Sequence, residues 1–317
     1  MIKNKKRKSA IFQMDPFNKL NLDSDTSISL IKEAKSQGID VWISYPSELS
    51  YEMNKAFTIA YRVSREGLRV CSPQRKDLDK FDFFFIRQDP PFDLNYLTNC
   101  YLLEMHKRFN KRPFFVNDPS SIKNFTEKIF PLYFNDLMPK NCITQSKEVF
   151  LRMLKKHRKL VLKTLYNKGG EGIVKVQSTK QKEALTIFEE LKKKYLVPVV
   201  VQEFLDDVVY GDKRVILIDG KPEGSVIRIP KKGEFKANLH LGGKAEKTTL
   251  TKKEEKICST IEKTLKQEKL FFVGIDLINE KLTEINVTSP TGIVQIFDLS
   301  GVNIAKKLWK KLLNKVS

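Results

Sequence analysis

Short apolar runs alternate with amphipathic stretches in the first third of the chain. Strand-like runs occupy residues 9–14, 39–45, 81–87 and 114–117, and helical periodicity marks residues 25–38 and 93–109. Asp25 or Thr26 would cap the first helix, and Gly38 would end it. We therefore expect an open α/β domain over residues 1–120, with an added hairpin over residues 51–70.

The pattern changes after Ser120. A helical stretch over residues 121–134 comes first, and later strands alternate with one long amphipathic helix. Two hairpins are predicted at residues 213–229 and 272–288. Residues 121–317 are therefore expected to form an α+β domain with antiparallel hairpins.

The second hairpin carries polar residues inside apolar strands. If Asn279, Glu280 and Lys281 form a three-residue loop, Asp276 lies opposite Glu284. Ile275, Leu277, Ile285 and Val287 would then face the core, while the opposite face carries Asp276, Glu284 and Asn286.

Facing carboxylates repel each other, so a positive group is expected between them. Asp, Glu and Asn oxygens are the ligands that a hard cation such as Mg²⁺ prefers. A solvent-facing polar surface with a loose salt bridge to a lysine explains the same residues, and both interpretations remain open at this point.

A lysine and a glycine-bearing turn form the second polar motif. Lys163 ends an apolar strand and is followed by Gly169, Gly170 and Gly172. A lysine in this place can reach nucleotide phosphates, which backbone N–H groups of the turn can bind. The GK[ST] ending of a P-loop is absent, and an ordinary hairpin turn also needs glycines.

Charge and composition narrow the class of protein only slightly. The 317 residues carry a formal net charge of +20, but lysines are spread along the whole chain, as on a solvated surface. This spread argues against nucleic acid as the partner. No apolar run is long enough for a membrane span or a signal peptide, so a cytoplasmic protein is expected. The four cysteines have no zinc or disulfide spacing.

Several motifs together resemble bacterial glutathione synthetases, a family of ATP-grasp ligases. The motifs are, in chain order, MDP, RQDPPFD, EKIF, VLKTLYNKGGEGI, VQEFL, GDKRV, IRIP, FVGIDLI and LTEINVTSPTG. The resemblance extends from about Met14 to the last helix. It implies a pre-ATP-grasp domain followed by an ATP-grasp domain. It also implies synthesis of glutathione from γ-glutamylcysteine and glycine with ATP and Mg²⁺ or Mn²⁺, and a homo-oligomer.

The resemblance also implies roles for single residues. ATP would be bound by Lys128, Lys163, Gly169, Gly170, Gln202, Glu203, Phe204, Leu205 and Asp212. Arg214 and Arg228 would stabilise the acyl phosphate, and the metal ligands would be Asp276, Glu284 and Asn286. Peptide binding would involve Lys236, Asn238, Gly242, Gly243, Ser289 and Thr291.

Arg87 and Asp89 end a predicted strand at a loop edge, where ligand contacts gather. They are candidates for substrate binding, and a salt bridge that fixes the two-proline turn is the other interpretation. The segment Gly233–Glu246, rich in glycine and polar residues, is expected to be a mobile lid.

Four positions depart from the family pattern. Thr164 and Asn167 replace an expected proline and glycine, and Lys236 and Lys244 stand where arginines are expected. Lysine keeps the positive charge but cannot make the two parallel hydrogen bonds that an arginine makes to a carboxylate. These departures leave one alternative function open, an ATP-grasp peptide ligase with another amine acceptor. A second alternative is a basic nucleic-acid-binding protein on a retained ligase fold.

Overall fold

The computed structural model describes residues 7–64 and 68–316. The expected hairpin over residues 51–70 therefore falls in part, at 65–67, outside the described residues. The described residues form three separate sheets, which organise the fold. Within the described ranges, no helix is long and apolar enough to cross a membrane.

The first sheet has six strands in the order β4-β3-β2-β1-β5-β6. Its strands are β1 (Ser9–Met14), β2 (Asp40–Glu52), β3 (Lys55–Val63), β4 (Val70–Asp77), β5 (Phe83–Arg87) and β6 (Phe114–Val116). The parallel pairs are β1–β2, β1–β5 and β5–β6. Helices α1 (Thr26–Ser36) and α2 (Leu94–Phe109) follow β1 and β5. The expected open α/β unit is confirmed.

The added hairpin is larger than expected. β2 continues to Glu52 and pairs antiparallel with β3, which pairs antiparallel with β4. A register shift in β2 between Ser44 and Leu49 spans Pro46. Because proline cannot donate to a strand ladder, such an irregularity lets the strand continue past it.

The helix expected over residues 121–134 is wrong. Helix α3 (Pro119–Asn124) ends early, and a 3₁₀ segment covers Phe130–Leu137. Pro131 lies in the first turn of that segment. A proline inside one long α-helix would remove a hydrogen bond and clash with the preceding turn. The break leaves residues 125–129 free to enter the neighbouring cleft.

The second sheet is antiparallel, with the order β7-β10-β8-β9. Its strands are β7 (Asn141–Thr144), β8 (Lys159–Thr164), β9 (Val174–Gln177) and β10 (Val199–Glu203). Helices α4 (Lys147–His157) and α5 (Gln181–Tyr195) cover one face, where the rings of Phe150 and Phe188 stack 4.5 Å apart. The other face is left for the cleft.

The third sheet is also antiparallel, in the order β13-β12-β11-β14-β15. Its strands are β11 (Asp212–Ile218), β12 (Lys221–Ile229), β13 (Lys244–Lys247), β14 (Phe272–Ile278) and β15 (Lys281–Asn286). Helix α6 (Lys252–Gln267) buries Ile257, Ile261 and Leu265 in the core beside it. The predicted hairpins are confirmed.

The last two helices join the third sheet to the first. Helices α7 (Ile293–Ser300) and α8 (Ile304–Lys315) share one core with β1 and β5. Trp309 of α8 packs edge-on against Phe83, 5.5 Å between ring centroids, and its indole N–H donates to the Leu30 carbonyl at 2.9 Å. The chain end thereby fixes the first sheet against the third.

Candidate active site

A polar cleft lies between the second and third sheets. Its space, including the open mouth, is ≈ 950 Å³. Sixteen of the predicted site residues line it: Lys128, Lys163, Gly169, Gly170, Gln202, Glu203, Phe204, Leu205, Asp212, Arg214, Arg228, Lys236, Asn238, Asp276, Glu284 and Asn286. The nucleotide, metal and catalytic candidates thus converge in one place.

The turn between β14 and β15 differs from the one expected, although it brings the same two carboxylates together. The turn has two residues, Asn279 and Glu280, both with positive φ, so Ile278 pairs with Lys281. The three-residue loop is therefore wrong. A register shift after Asp276 absorbs the extra residue, Thr283, whose hydroxyl donates to the Asp276 carbonyl at 3.1 Å.

The expected facing pair itself is confirmed, since Asp276 lies opposite Glu284. The alternate side chains Ile275, Ile285 and Val287 are fully buried on the core side. The polar face of the hairpin is therefore turned toward the cleft.

Two arginines on the neighbouring strands β11 and β12 supply positive charge to Asp276 of this pair. Arg214 of β11 lies opposite Asp276 and donates to both of its carboxylate oxygens, with Nη2–Oδ2 at 2.8 Å. Arg228 of β12 donates to Asp212 at 2.6 Å and lies 3.1 Å from Asp276. Burial alone would raise the pKa of Asp276, but the two guanidinium groups hold that pKa well below its usual range.

Asp212 is the contrasting carboxylate of this cluster. Burial raises the pKa of Asp212 to about 6, although Arg228 opposes the shift, and the Asp276 charge adds to it. Among the described residues, Asp212 Oδ1 and Arg228 Nε are buried without a hydrogen-bond partner. Buried polar atoms are rarely left unpaired, so these two atoms can each bind a water molecule or a polar ligand in the cleft.

Glu284 and Asn286 are the least committed oxygen donors. Glu284 has Lys163 Nζ at 3.7 Å, beyond hydrogen-bond distance, and the Asn286 amide lies 3.3 Å from Asp276. No group of three His, Cys, Asp or Glu suited to a metal occurs in the described ranges. A cation here would therefore need oxygens from a ligand as well as from Glu284 and Asn286, and this donor set fits Mg²⁺ shared with phosphates.

The phosphate side of the cleft is formed by lysines and glycines. Lys128 and Lys163 are almost completely buried, and Lys128 donates to the Asn167 carbonyl at 2.7 Å. Gly170 has positive φ, and a Cβ there would lie 3.0 Å from Asn238 Oδ1. Lys236 donates to the Gly170 carbonyl at 3.0 Å. The glycine turn thus lies directly under the loop that contains Lys236.

Two backbone amides at the end of β10 are already used in hydrogen bonds within the protein, so they are not available to a ligand. The amides of Glu203 and Phe204 already donate to the carbonyls of Lys140 and Lys159, at 2.8 and 3.1 Å. A base bound here would have to be recognised by other backbone atoms of the segment. The flat apolar walls that would hold the base are Val161, Ile173, Val208, Phe235 and Ile278.

Arg87, Asp89, Ser289 and Thr291 are not among the residues that line the cleft, although the Thr291 carbonyl accepts from Arg214 Nη1 at 3.2 Å. Arg87 donates to Ser27 and to the Pro290 carbonyl, at 2.9 and 3.0 Å, and Asp89 accepts from Ser289 and pairs with Lys168. Burial lowers the pKa of Arg87.

The other two peptide-binding candidates, Gly242 and Gly243, also lie outside the cleft lining. A Cβ at Gly243 would lie 2.5 Å from the Ala237 carbonyl oxygen. Both glycines therefore serve the path of the loop in this structure, and their contact with a peptide stays a prediction.

Sequence reasoning missed Glu127. Its carboxylate lines the cleft, accepts from the Thr288 hydroxyl at 2.6 Å, and has a pKa raised by burial. The sequence signal that could have identified Glu127 is its position just before Lys128. The segment cannot continue as a helix across Pro131. Phe235 was missed as well, because its ring reaches the cleft only through the path of its loop.

The fold and the site together define an ATP-grasp ligase. The chain is similar to the solved structures of D-cycloserine synthetase DcsG (TM-score 0.68, 12% identity, 98% of this chain and 99% of that chain) and ATP-grasp ligase PsnB complexed with minimal precursor (0.65, 14%, with the same coverage). At these identities the likeness shows the fold alone.

Sequence comparison is more specific. The family models of prokaryotic glutathione synthetase match residues 9–123 with the N-terminal domain and residues 127–301 with the ATP-grasp domain. The glutathione synthetase of Agrobacterium fabrum is 35% identical over 98% of both chains, and that of Brucella melitensis biotype 1 is 37% identical over 94% of this chain and 96% of its own. The chain belongs to the prokaryotic glutathione synthetase family.

The raised pKa of Asp212 gives a pH-dependent prediction for stability. The unfolded value is near 3.8 and the folded value about 6, so the folded state binds the proton more tightly. Ionisation of Asp212 therefore costs stability as the pH rises through this interval, by at most about 3 kcal/mol. The free energy of unfolding of wild type should fall relative to that of Asp212→Asn between pH 4.5 and 7.5 in urea titrations. Parallel pH curves for the two proteins would contradict the assignment.

Proposed function

We propose that this protein joins γ-glutamylcysteine to glycine at the expense of ATP and releases glutathione, ADP and phosphate. The family membership supports the reaction class. The observation that carries the site assignment is Arg228 Nε, which has no partner in the described part of the chain and is buried beside Asp276 and Glu284, in a cleft that also contains two buried lysines.

ATP would lie with its base between the apolar walls near Phe204 and its phosphates toward Lys128 and Lys163. The two ammonium groups would offset phosphate charge in a setting where water competes little, because both side chains are almost completely buried. The glycine turn would add backbone N–H groups.

Mg²⁺, or Mn²⁺ in its place, would be held by Glu284 and Asn286, with Asp276 oriented by Arg214. When bound, such an ion neutralises phosphate charge and polarises the transferred phosphoryl group. Arg214 keeps Asp276 ionised at every physiological pH, because the pKa of this carboxyl is strongly lowered.

The chemical step would begin with the C-terminal carboxylate of the dipeptide. One carboxylate oxygen bonds to the γ-phosphorus while the bond to the bridging oxygen of ADP breaks, which gives an acyl phosphate. The glycine nitrogen then bonds to the acyl carbon, loses a proton, and phosphate leaves. Arg228 can donate from Nε to the charge that develops on oxygen, because this donor has no partner among the described residues.

Water must be excluded while the acyl phosphate exists. The closing loop, residues 230–243, lies over the glycine turn and would provide this cover. The expected lid ran to Glu246, but residues from Lys244 onward form β13, which pairs with β12. Only the shorter loop can move without opening the sheet.

The dipeptide would extend toward Asp89 and Ser289. A cytoplasmic location, where ATP is available, and a homo-oligomer are part of the same proposal.

The direct test is ADP release with a panel of substrates. γ-Glutamylcysteine with glycine should give at least tenfold more ADP than either substrate alone, and glutathione should appear in equal amount. Glycine should also exceed alanine, serine and β-alanine as the amine. Preference for another amine would make the protein a different peptide ligase, and substrate-independent ADP release would remove the ligase assignment.

The closing loop gives a separate prediction for limited proteolysis. Free protein should be cut within residues 230–243, because few buried contacts hold this loop. A nonhydrolysable ATP analogue with Mg²⁺ and dipeptide should protect it, and the analogue alone should protect it less.

Lys236→Arg should bind the dipeptide severalfold more tightly, since a guanidinium makes two parallel hydrogen bonds to a carboxylate. Exposed Lys232→Arg is the matched control.

For the proteolysis prediction, cleavage that is the same in every ligand state would exclude the closing loop as the lid.

A further inference from the structure

Strand β15 carries two of the proposed metal ligands, Glu284 and Asn286, at one border of the third sheet. It is the last strand in the order of that sheet, so its outer edge has no neighbouring strand among the described residues. The backbone N–H of Ile285, between the two ligands, needs a partner from elsewhere in the chain. The positions of both ligands therefore depend on what pairs with this outer edge.

Glu127 pairs with the outer edge of β15 twice. Its carbonyl oxygen accepts from the Ile285 amide at 3.1 Å, and its carboxylate accepts from the Thr288 hydroxyl at 2.6 Å. Thr288 is 3% exposed, so water competes little for this hydroxyl. One contact precedes Asn286 by one residue and the other follows it by two. Glu127 therefore holds the chain on both sides of this ligand.

The segment that contains Glu127 is itself fixed at both ends. The ring centroids of Phe125 and Phe130 lie 4.5 Å apart, and both rings belong to the core behind β15. The Thr126 carbonyl accepts from the Phe130 amide at 2.9 Å, which closes a turn around Glu127. A side chain on such a turn can serve as a fixed support for the neighbouring strand.

The next residue, Lys128, belongs to the phosphate side of the cleft. It is 6% exposed and donates to the Asn167 carbonyl beside the glycine turn at 2.7 Å. Two consecutive residues thus reach the two sides of the site, since Glu127 holds the strand of the metal ligands and Lys128 faces the phosphates. A metal ion that is shared with a nucleotide needs both sides at a fixed separation.

We propose that Glu127 is a positioning residue, which fixes the metal ligands of β15 relative to Lys128 by accepting hydrogen bonds from Ile285 and Thr288. It acts as a hydrogen-bond acceptor; it neither binds the metal ion nor takes a proton from the substrate. Removing a group that orients metal ligands typically lowers metal affinity by about 10- to 100-fold. This role rests on the proposed sharing of a metal ion with ATP and is independent of which amine is joined.

Two substitutions of Glu127 separate this role from a role of its charge. Glu127→Gln keeps an oxygen that can accept from the Thr288 hydroxyl, whereas Glu127→Met has a similar length and no oxygen. Electron paramagnetic resonance would measure Mn²⁺ binding in the presence of a nonhydrolysable ATP analogue. Glu127→Met should lose about tenfold in Mn²⁺ affinity, and Glu127→Gln less than about threefold. Glu255→Met, the same change at an exposed position of helix α6, should bind as wild type.

Thr288→Val tests the same hydrogen bond from its other partner. This variant should lose Mn²⁺ affinity as Glu127→Met does. The double variant should lose no more than about twofold beyond either single variant, because only one side-chain hydrogen bond is removed. Cooperative urea unfolding would show that each variant is folded.

Three results would overturn the proposal. The first is a Glu127→Met variant with the Mn²⁺ affinity of wild type. The second is a loss in Glu127→Gln as large as in Glu127→Met, which would make the carboxylate charge the active feature. The third is a wild type whose Mn²⁺ affinity does not change with the analogue. None of these measurements needs turnover, so a ligase with another amine acceptor would give the expected results, and ADP release with the substrate panel decides the reaction separately.

Discussion

The carboxylate of Asp276, held by Arg214 and Arg228, is the interaction on which the site depends. It links three neighbouring strands of the third sheet, because Arg214 lies opposite Asp276 on one side and Arg228 reaches it from the strand beyond. An unpaired buried carboxylate would be protonated or would destabilise the fold. With both arginines it remains charged, and the cleft keeps one fixed negative group beside Glu284.

Such a buried ion cluster contributes little net stability, since the cost of removing the charges from water offsets their attraction. What the cluster contributes is the fixed position of its charged side chains in the cleft. The strand ladder sets which side chains meet, and the hydrophobic core behind Ile275 and Ile285 prevents the strands from slipping by one residue. Among the described residues, Arg228 Nε and Asp212 Oδ1 have no hydrogen-bond partner, so both can bind a polar ligand that enters the cleft.

The sequence allowed prediction of the features that depend on local periodicity. Alternation along two strands predicted that Asp276 faces Glu284, and the open α/β unit followed from its buried runs. Features that depend on tertiary register could not be predicted. The Arg214–Asp276 pair is an example, because it joins residues 62 positions apart. The hairpin turn was misjudged because two adjacent non-glycine residues with positive φ are uncommon and the compensating irregularity left no sequence signal. The roles of the site residues and the domain boundary near Ser120 stay predictions.

The central claim, that the hairpin oxygens share a metal ion with a nucleotide, is tested most directly by manganese binding. Electron paramagnetic resonance would measure protein-bound Mn²⁺ with and without a nonhydrolysable ATP analogue. Wild type should bind Mn²⁺ weakly alone and much more tightly with the analogue. Asn286→Ala should lose at least tenfold of this affinity, and exposed Asp298→Asn should lose none. Equal Mn²⁺ affinity of wild type and Asn286→Ala in the presence of the analogue would contradict the account.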